Sequence, residues 1–234
     1  LKFIKPLIIG LLGIILMLNA LLLPFQSLAF NEEYYINAFT ALKVHEVIGI
    51  DEAALTRVTR ALIQHIDDGS GDIALVEKVK GENVVFYNEK EQHHLHDIYF
   101  LVKGGRTFLV IIDILMILLL ILLYLYSKKE KLAFVKEMTK VFKSAVFTTL
   151  FVLVALGALY FVDFDWAFRR FHEIFFTNDL WLLDPRTDRL IQLMPFEFFT
   201  GFTADWLLRV GFINLVFILL GFVLPVLKNR KRAL

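Results

Sequence analysis

Phe108-Leu-Val-Ile-Ile-Asp113-Ile-Leu-Met-Ile-Leu-Leu-Leu-Ile-Leu-Leu-Tyr-Leu-Tyr126 is an apolar run broken by a single carboxylate. A bilayer core needs about 20 mostly apolar residues in helical form. In lipid the backbone must satisfy its own hydrogen bonds, so the run reads as a membrane helix rather than an isolated strand. Three further windows qualify, at 3–25, 145–162 and 207–227, the last with Arg209 near its start. Hydrophobic residues make up 58% of the chain, above the roughly 45–50% of soluble domains. The expected fold class is therefore an α-helical integral membrane protein, with four transmembrane helices and a small α+β extracytoplasmic subdomain.

The first window also has features of a secretory signal: basic Lys2 and Lys5, an apolar run, and Ser27-Leu28-Ala29 as a loose cleavage site. The run is longer than a usual signal core, so it reads as an uncleaved helix. Lys and Arg set the orientation. Lys128, Lys129, Lys131, Lys136, Lys140 and Lys143 lie between windows two and three, and Lys228, Arg230, Lys231 and Arg232 follow window four. With the N-terminal lysines these fall on one side, which places both termini in the cytoplasm. The expected order is helix 1 (1–26), extracytoplasmic subdomain (27–107), helix 2 (108–126), cytoplasmic basic loop (127–144), helix 3 (145–162), extracytoplasmic aromatic loop (163–206), helix 4 (207–227) and cytoplasmic basic tail (228–234). A bacterial plasma membrane fits this layout. The formal net charge is +1 and gives no sign of nucleic-acid binding. The chain has no cysteine, which excludes disulfides, thiolate metal sites and a cysteine nucleophile.

The first outer segment predicts a helix over 34–47, broken by Gly49. A second begins at the N-cap Asp51 and carries the stripe Leu55, Val58, Leu62, Ile63 and Ile66 before Asp67-Asp68-Gly69 ends it. Short β-prone runs at 73–76 and 84–87, joined by Gly81-Glu82-Asn83, predict a hairpin. The second outer segment crowds Phe164, Trp166, Phe168, Phe171, Phe175, Phe176, Trp181, Phe196, Phe198, Phe199 and Trp206. Such rings form an interfacial belt, a lipid-facing pocket wall, or both.

All six histidines lie in the two outer segments. His45 and His65 read as polar surface residues of helices. The others form two candidate sites: Glu89-Lys90-Glu91-Gln92-His93-His94-Leu95-His96-Asp97 before helix 2, and Arg169-Arg170-Phe171-His172 after helix 3. Antiparallel membrane helices would bring helix 2's start and helix 3's end to one face, where His94 and His172 can meet. Three readings compete for the histidine run. Clustered His and carboxylates can bind metal, but no His-Glu-x-x-His spacing occurs. A polar cap without chemistry is the second, and acid–base catalysis the third. Asp113, inside a span, is a functional candidate by default, or it pairs with Arg209 or a backbone group to fix helix packing. Arg169 and Arg170 are placed to meet lipid phosphate or an oxyanion, or to anchor the loop. No Gly-x-Ser-x-Gly elbow is present.

His94-Leu95-His96-Asp97-Ile98 resembles the His-Met-x-Asp-Val element of a known family. Phe171-His172-Glu173-Ile174-Phe175-Phe176 resembles its Phe-His-x-x-Phe-Phe element. The stretches Thr177 to Trp181, Leu182-Leu183-Asp184-Pro185, Asp188-Arg189-Leu190-Ile191 and Met194-Pro195 are also similar to the pattern. The family is the lipoprotein intramolecular transacylase, Lit, of Gram-positive bacteria, and the likeness spans nearly the whole chain. It implies transfer of an acyl chain from the diacylglyceryl group of a lipoprotein to the amino group of its N-terminal cysteine. It also implies catalytic His94 and His172. The residues beside them suggest the supporting roles: Asp97 or Glu91 to orient an imidazole, and Arg169 or Arg170 to hold phosphate or oxyanion. The expected partners are the diacylglyceryl lipoprotein and membrane lipid, with no cofactor and no metal. The alternatives are a non-catalytic membrane protein that binds lipid or another helix, and a metal-dependent membrane hydrolase.

Overall fold

The computed structural model describes residues 3–127, 131–223 and 225, with backbone alone at 131–133, 159–162 and 164. Lys2, Lys128, Lys129, the end of the fourth window at Leu227 and the basic tail at 228–234 lie outside the described residues. The elements are α1 (Ile4–Ala29), α2 (Glu32–Ala41), α3 (Val44–Ile48), α4 (Glu52–Asp68), β1 (Val76–Val79), β2 (Glu82–Val85), α5 (Glu89–Ser127), α6 (Lys131–Val162), α7 (Phe164–Phe175), α8 (Arg189–Leu193) and α9 (Phe196–Ile218). A π-helical turn, Leu219–Val223, continues α9. Four stretches are long and apolar enough to cross a membrane: Ile4–Ala29, Glu89–Ser127, Phe134–Ala158 and Phe196–Val223. The chain divides into a membrane unit (Leu1–Phe25, Thr107–Phe164, Leu207–Leu234) and an α+β unit (Gln26–Arg106, Asp165–Trp206).

In the membrane unit, Ile8, Leu12 and Ile15 of α1 pack with Leu109, Ile112, Leu119 and Leu123 of α5 and Val141 of α6. Three- and four-residue steps keep these side chains on one face of each helix. The opposite face of α5, with Val110, Ile111, Ile114, Leu118 and Ile121, is exposed and wholly apolar, as a lipid-facing surface must be. Small residues let membrane helices approach closely, and α1 meets α6 at such a point. A Cβ on Gly13 would lie 2.2 Å from Ser144 Oγ. Asp113 accepts a 2.9 Å hydrogen bond from Asn19 Nδ2, joining α5 to α1. Glu137 is buried yet satisfied by Lys5 at 3.3 Å and Lys140 at 2.9 Å.

In the α+β unit, the helix expected over 34–47 is split. Lys43 adopts the left-handed conformation with φ 53° and separates α2 from α3. Gly49 ends α3 at φ 83°, a conformation glycine adopts without steric cost. Asp51 caps α4 by accepting from Ala54 N at 2.6 Å, and Gly69 closes it. The stripe from Leu55 to Ile66 is buried against Tyr35, Phe39, Phe86, Tyr87, Leu95, Leu190, Leu193 and Phe198.

The antiparallel hairpin pairs Val76 with Val85 and Val79 with Glu82, so its turn falls at Lys80-Gly81. Both strands thus sit off the expected 73–76 and 84–87. Two contacts explain the shift. Arg57 binds buried Glu77 through two 2.7 Å bonds, drawing 77 into the strand. Phe86 and Tyr87 leave the strand and are fully buried in the core.

Candidate active site

The start of α5 is fixed by a reciprocal pair. Asn88 Oδ1 accepts from Glu91 N at 3.0 Å, and Glu91 Oε2 accepts from Asn88 N at 2.7 Å. This capping-box arrangement satisfies helix-start donors that would otherwise be orphaned. Glu91 Oε1 also accepts from Leu190 N at 2.5 Å, which ties α5 to α8. Burial, its largest influence, pushes the Glu91 carboxyl above its usual range, against the lowering effect of the two backbone bonds. Both oxygens are thus spent on the helix start and on α8. One turn further along α5, His94 is 4% exposed, whereas His93 and His96 are exposed. His93 lies 3.9 Å from Glu89.

The stretch after α6, read from sequence as a loop, folds as helix α7. Its pattern explains why: Ala167, Phe168, Phe171, Ile174 and Phe175 form one face, while Asp165, Arg169 and Glu173 lie opposite. His172 sits at the border and is 8% exposed. Its Nδ1 lies 2.7 Å from the carbonyl oxygen of Phe168. A carbonyl only accepts, so Nδ1 carries the proton and Nε2 of the neutral ring is a free base.

The two imidazoles come together, with centroids 6.1 Å apart and planes at 40°. Aromatic rings wall the pair. Phe176 lies 5.1 Å from His94 and 5.6 Å from His172, Trp181 stacks on His172 at 4.8 Å, and Phe168 lies at 4.1 Å. Burial, reinforced by the neighbouring His172, pushes His94 down to about 4. Burial also holds His172 below its usual value, partly offset by the Phe168 bond. Both rings are therefore neutral near pH 7. His94 Nδ1 is buried without a hydrogen-bond partner among the described residues, a costly state unless something else meets it.

The loop after α7 is strapped to α5. Asn178 donates to Asp97 at 2.9 Å, Asn88 donates to Asp188 at 2.9 Å, and Lys90 donates to the Leu182 carbonyl. Asp97 thus holds the loop, and its charge favours protonation of His94. Arg170 pairs with Glu173 and lies over the Trp166 ring at 5.8 Å, while Arg169 is exposed. Asp113 belongs to the membrane unit and bonds Asn19. Among the described residues no three His, Asp or Glu side chains gather as a metal-binding group. Phe168, Phe176 and Trp181 are among the rings that the sequence offers as an interfacial belt or pocket wall, but neither they nor Asn178 is assigned to the histidine pair from sequence. The steps from 168 to 172 to 176 mark one helix face and could have shown two of them. Trp181 and Asn178 lie in a loop with no periodic signal.

The sequence model of the lipoprotein intramolecular transacylase Lit family matches residues 10–199. The chain belongs to this family. It is thus an intramolecular transacylase of the membrane, and its family implies a lipoprotein substrate. Three solved structures of the membrane-integral transacylase Lit from Bacillus cereus share its fold. The first has a TM-score of 0.74 and 19% identity, covering 100% of both chains. A second, with a histidine replaced by arginine, has a TM-score of 0.75 and 17% identity, covering 100% of this chain and 96% of that one. A third, with that histidine replaced by alanine, has a TM-score of 0.73 and 19% identity, with coverages of 100% and 97%. Among curated proteins no match is found.

Proposed function

We propose that this transacylase moves an acyl chain from the diacylglyceryl group of a lipoprotein to the amino group of its N-terminal cysteine, by histidine acid–base catalysis. The observation that carries the reading is the buried pair His94 and His172, neutral and 6.1 Å apart between helices α5 and α7. Aminolysis of an ester needs a deprotonated amine, a stabilised oxyanion and a protonated leaving oxygen. His172 is the base, because its Nδ1–H is committed to Phe168 and its Nε2 is free. His94, a neutral imidazole, offers an N–H to the oxygen that gathers negative charge. His172 then returns its proton to the departing diacylglyceryl oxygen.

The substrate carries nucleophile and ester on one molecule, so holding them close removes roughly 7–11 kcal/mol of barrier. Proton transfer adds about 10²–10⁴-fold. No enzyme nucleophile is required. Arg169 is the group for a lipid phosphate, with Arg170 held by Glu173. Asp97 and Glu91 support the pair through the loop and the helix start rather than by carrying protons. The α+β unit faces the outside of a bacterial plasma membrane, and both termini face the cytoplasm.

The test is His172→Asn and His94→Asn in the full chain, with the lipoprotein N-terminus read by mass spectrometry. Loss of the lyso-form by at least about a hundredfold in each variant is expected. Full retention in both would end the reading.

A further inference from the structure

Trp181, in the loop between α7 and α8, is buried, and its ring stacks on His172 with centroids 4.8 Å apart and planes at 25°. The loop is anchored on both sides of this ring, by Asn178 to Asp97 and by Lys90 to the Leu182 carbonyl. An indole face attracts a cation within about 6 Å of its centroid, and Trp is the strongest of the aromatic side chains in this respect. Burial disfavours a charged His172, so a base at this position needs a compensating group when it takes up a proton. The Phe168 carbonyl also favours the protonated ring by accepting from Nδ1, and the rings of Phe168 and Phe176 lie 4.1 and 5.6 Å away; the indole is the strongest cation-attracting face among them. Among the described residues His94 is the titratable group in ring contact. Asp97 and Lys90 are the α5 charges that act on His94. On α7 the flanking charges are Arg169 and Glu173, the latter paired with Arg170.

Resting on the acyl-transfer reading above, we propose that Trp181 is a positioning residue whose π-face stabilises the imidazolium of His172 as the attacking amine loses its proton. In that step the amine nitrogen bonds the ester carbonyl carbon, and its proton passes to His172 Nε2. The bond between that carbon and the glyceryl oxygen then breaks, and the imidazolium gives its proton to this oxygen, leaving a monoacylglyceryl alcohol. One ester and one amine become one amide and one alcohol, with no other reactant.

Trp181→Phe and Trp181→Leu weaken and then remove the π-face while keeping apolar bulk. The full chain in detergent is titrated by imidazole NMR, with the His172 signal assigned by its loss in His172→Asn. A synthetic diacylated lipopeptide reports the rate. The His172 midpoint is expected to fall in the order Trp, Phe, Leu, and the Leu variant to lose about three- to thirtyfold in rate. An unchanged or raised midpoint in the folded Leu variant overturns the proposal, because burial alone would then govern the ring. Should the Leu variant fail to fold, the Phe variant's midpoint decides in the same way. Retained transacylation in His172→Asn sinks the acyl-transfer roles instead, while the titration still reports on the π-face.

Discussion

At the residue scale, the protonation of His94 has a consequence for stability. The unfolded ring takes a proton near 6.5, whereas the folded one does so only near 4. Between those values the unfolded chain is the better proton binder, so stability falls as pH drops through that window and is fully present above it. His172 is shifted in the same direction and adds to the slope. The expected loss from His94 is on the order of 3 kcal/mol, read as a falling melting temperature in detergent between pH 6.5 and 4. His94→Phe should flatten most of that dependence. A slope unchanged in this variant would show that the acid sensitivity arises elsewhere. His93 and His96, one and two positions from His94, are exposed instead and lack this burial.

At the scale of elements, α1 depends on one close approach. Gly13 leaves no room for a Cβ beside Ser144 of α6, whereas Gly10, nearly one turn earlier, has open space. Gly13→Val should cost roughly 1–3 kcal/mol by overpacking, and Gly10→Val much less. Thermal unfolding of the two variants in one detergent checks this, since equal losses would place the constraint elsewhere. Helix α5 shows how an element combines two duties. Its first turns carry the Asn88–Glu91 cap, the strap to the loop after α7, and His94. Its stretch 108–126 carries apolar side chains, two tyrosines and a single charged residue, Asp113. The sequence offers Asp113 either as a functional group inside the span or as a packing partner of Arg209 or a backbone group, and in the structure it accepts from Asn19. Nothing in the sequence selects Asn19, because the pairing depends on how α1 and α5 align along their length.

At the scale of the molecule, the absence of cysteine makes orientation directly measurable. Glu82→Cys places a thiol at an exposed position of the hairpin, and Lys231→Cys places one in the basic tail. In intact cells a membrane-impermeant maleimide should label the first and not the second, with labelling of the tail restored only after permeabilisation. The reverse pattern would invert the orientation proposed from the lysine and arginine asymmetry.

Hydrophobic run length alone determined the four membrane helices, because a bilayer demands that length whatever the packing. Asp51 and Gly69 fixed the ends of α4 in the same local way. The resemblance of short motifs points to His94 and His172, and antiparallel spans allow them to meet at one face; their 6.1 Å separation is set by tertiary packing. Tertiary structure also decided the hairpin register, through Glu77 and its Arg57 partner and the burial of Phe86 and Tyr87. It decided as well the tautomer of His172 and the Trp181 face against it. These features depend on which distant groups share a space from which water is excluded, and no local sequence pattern encodes that proximity.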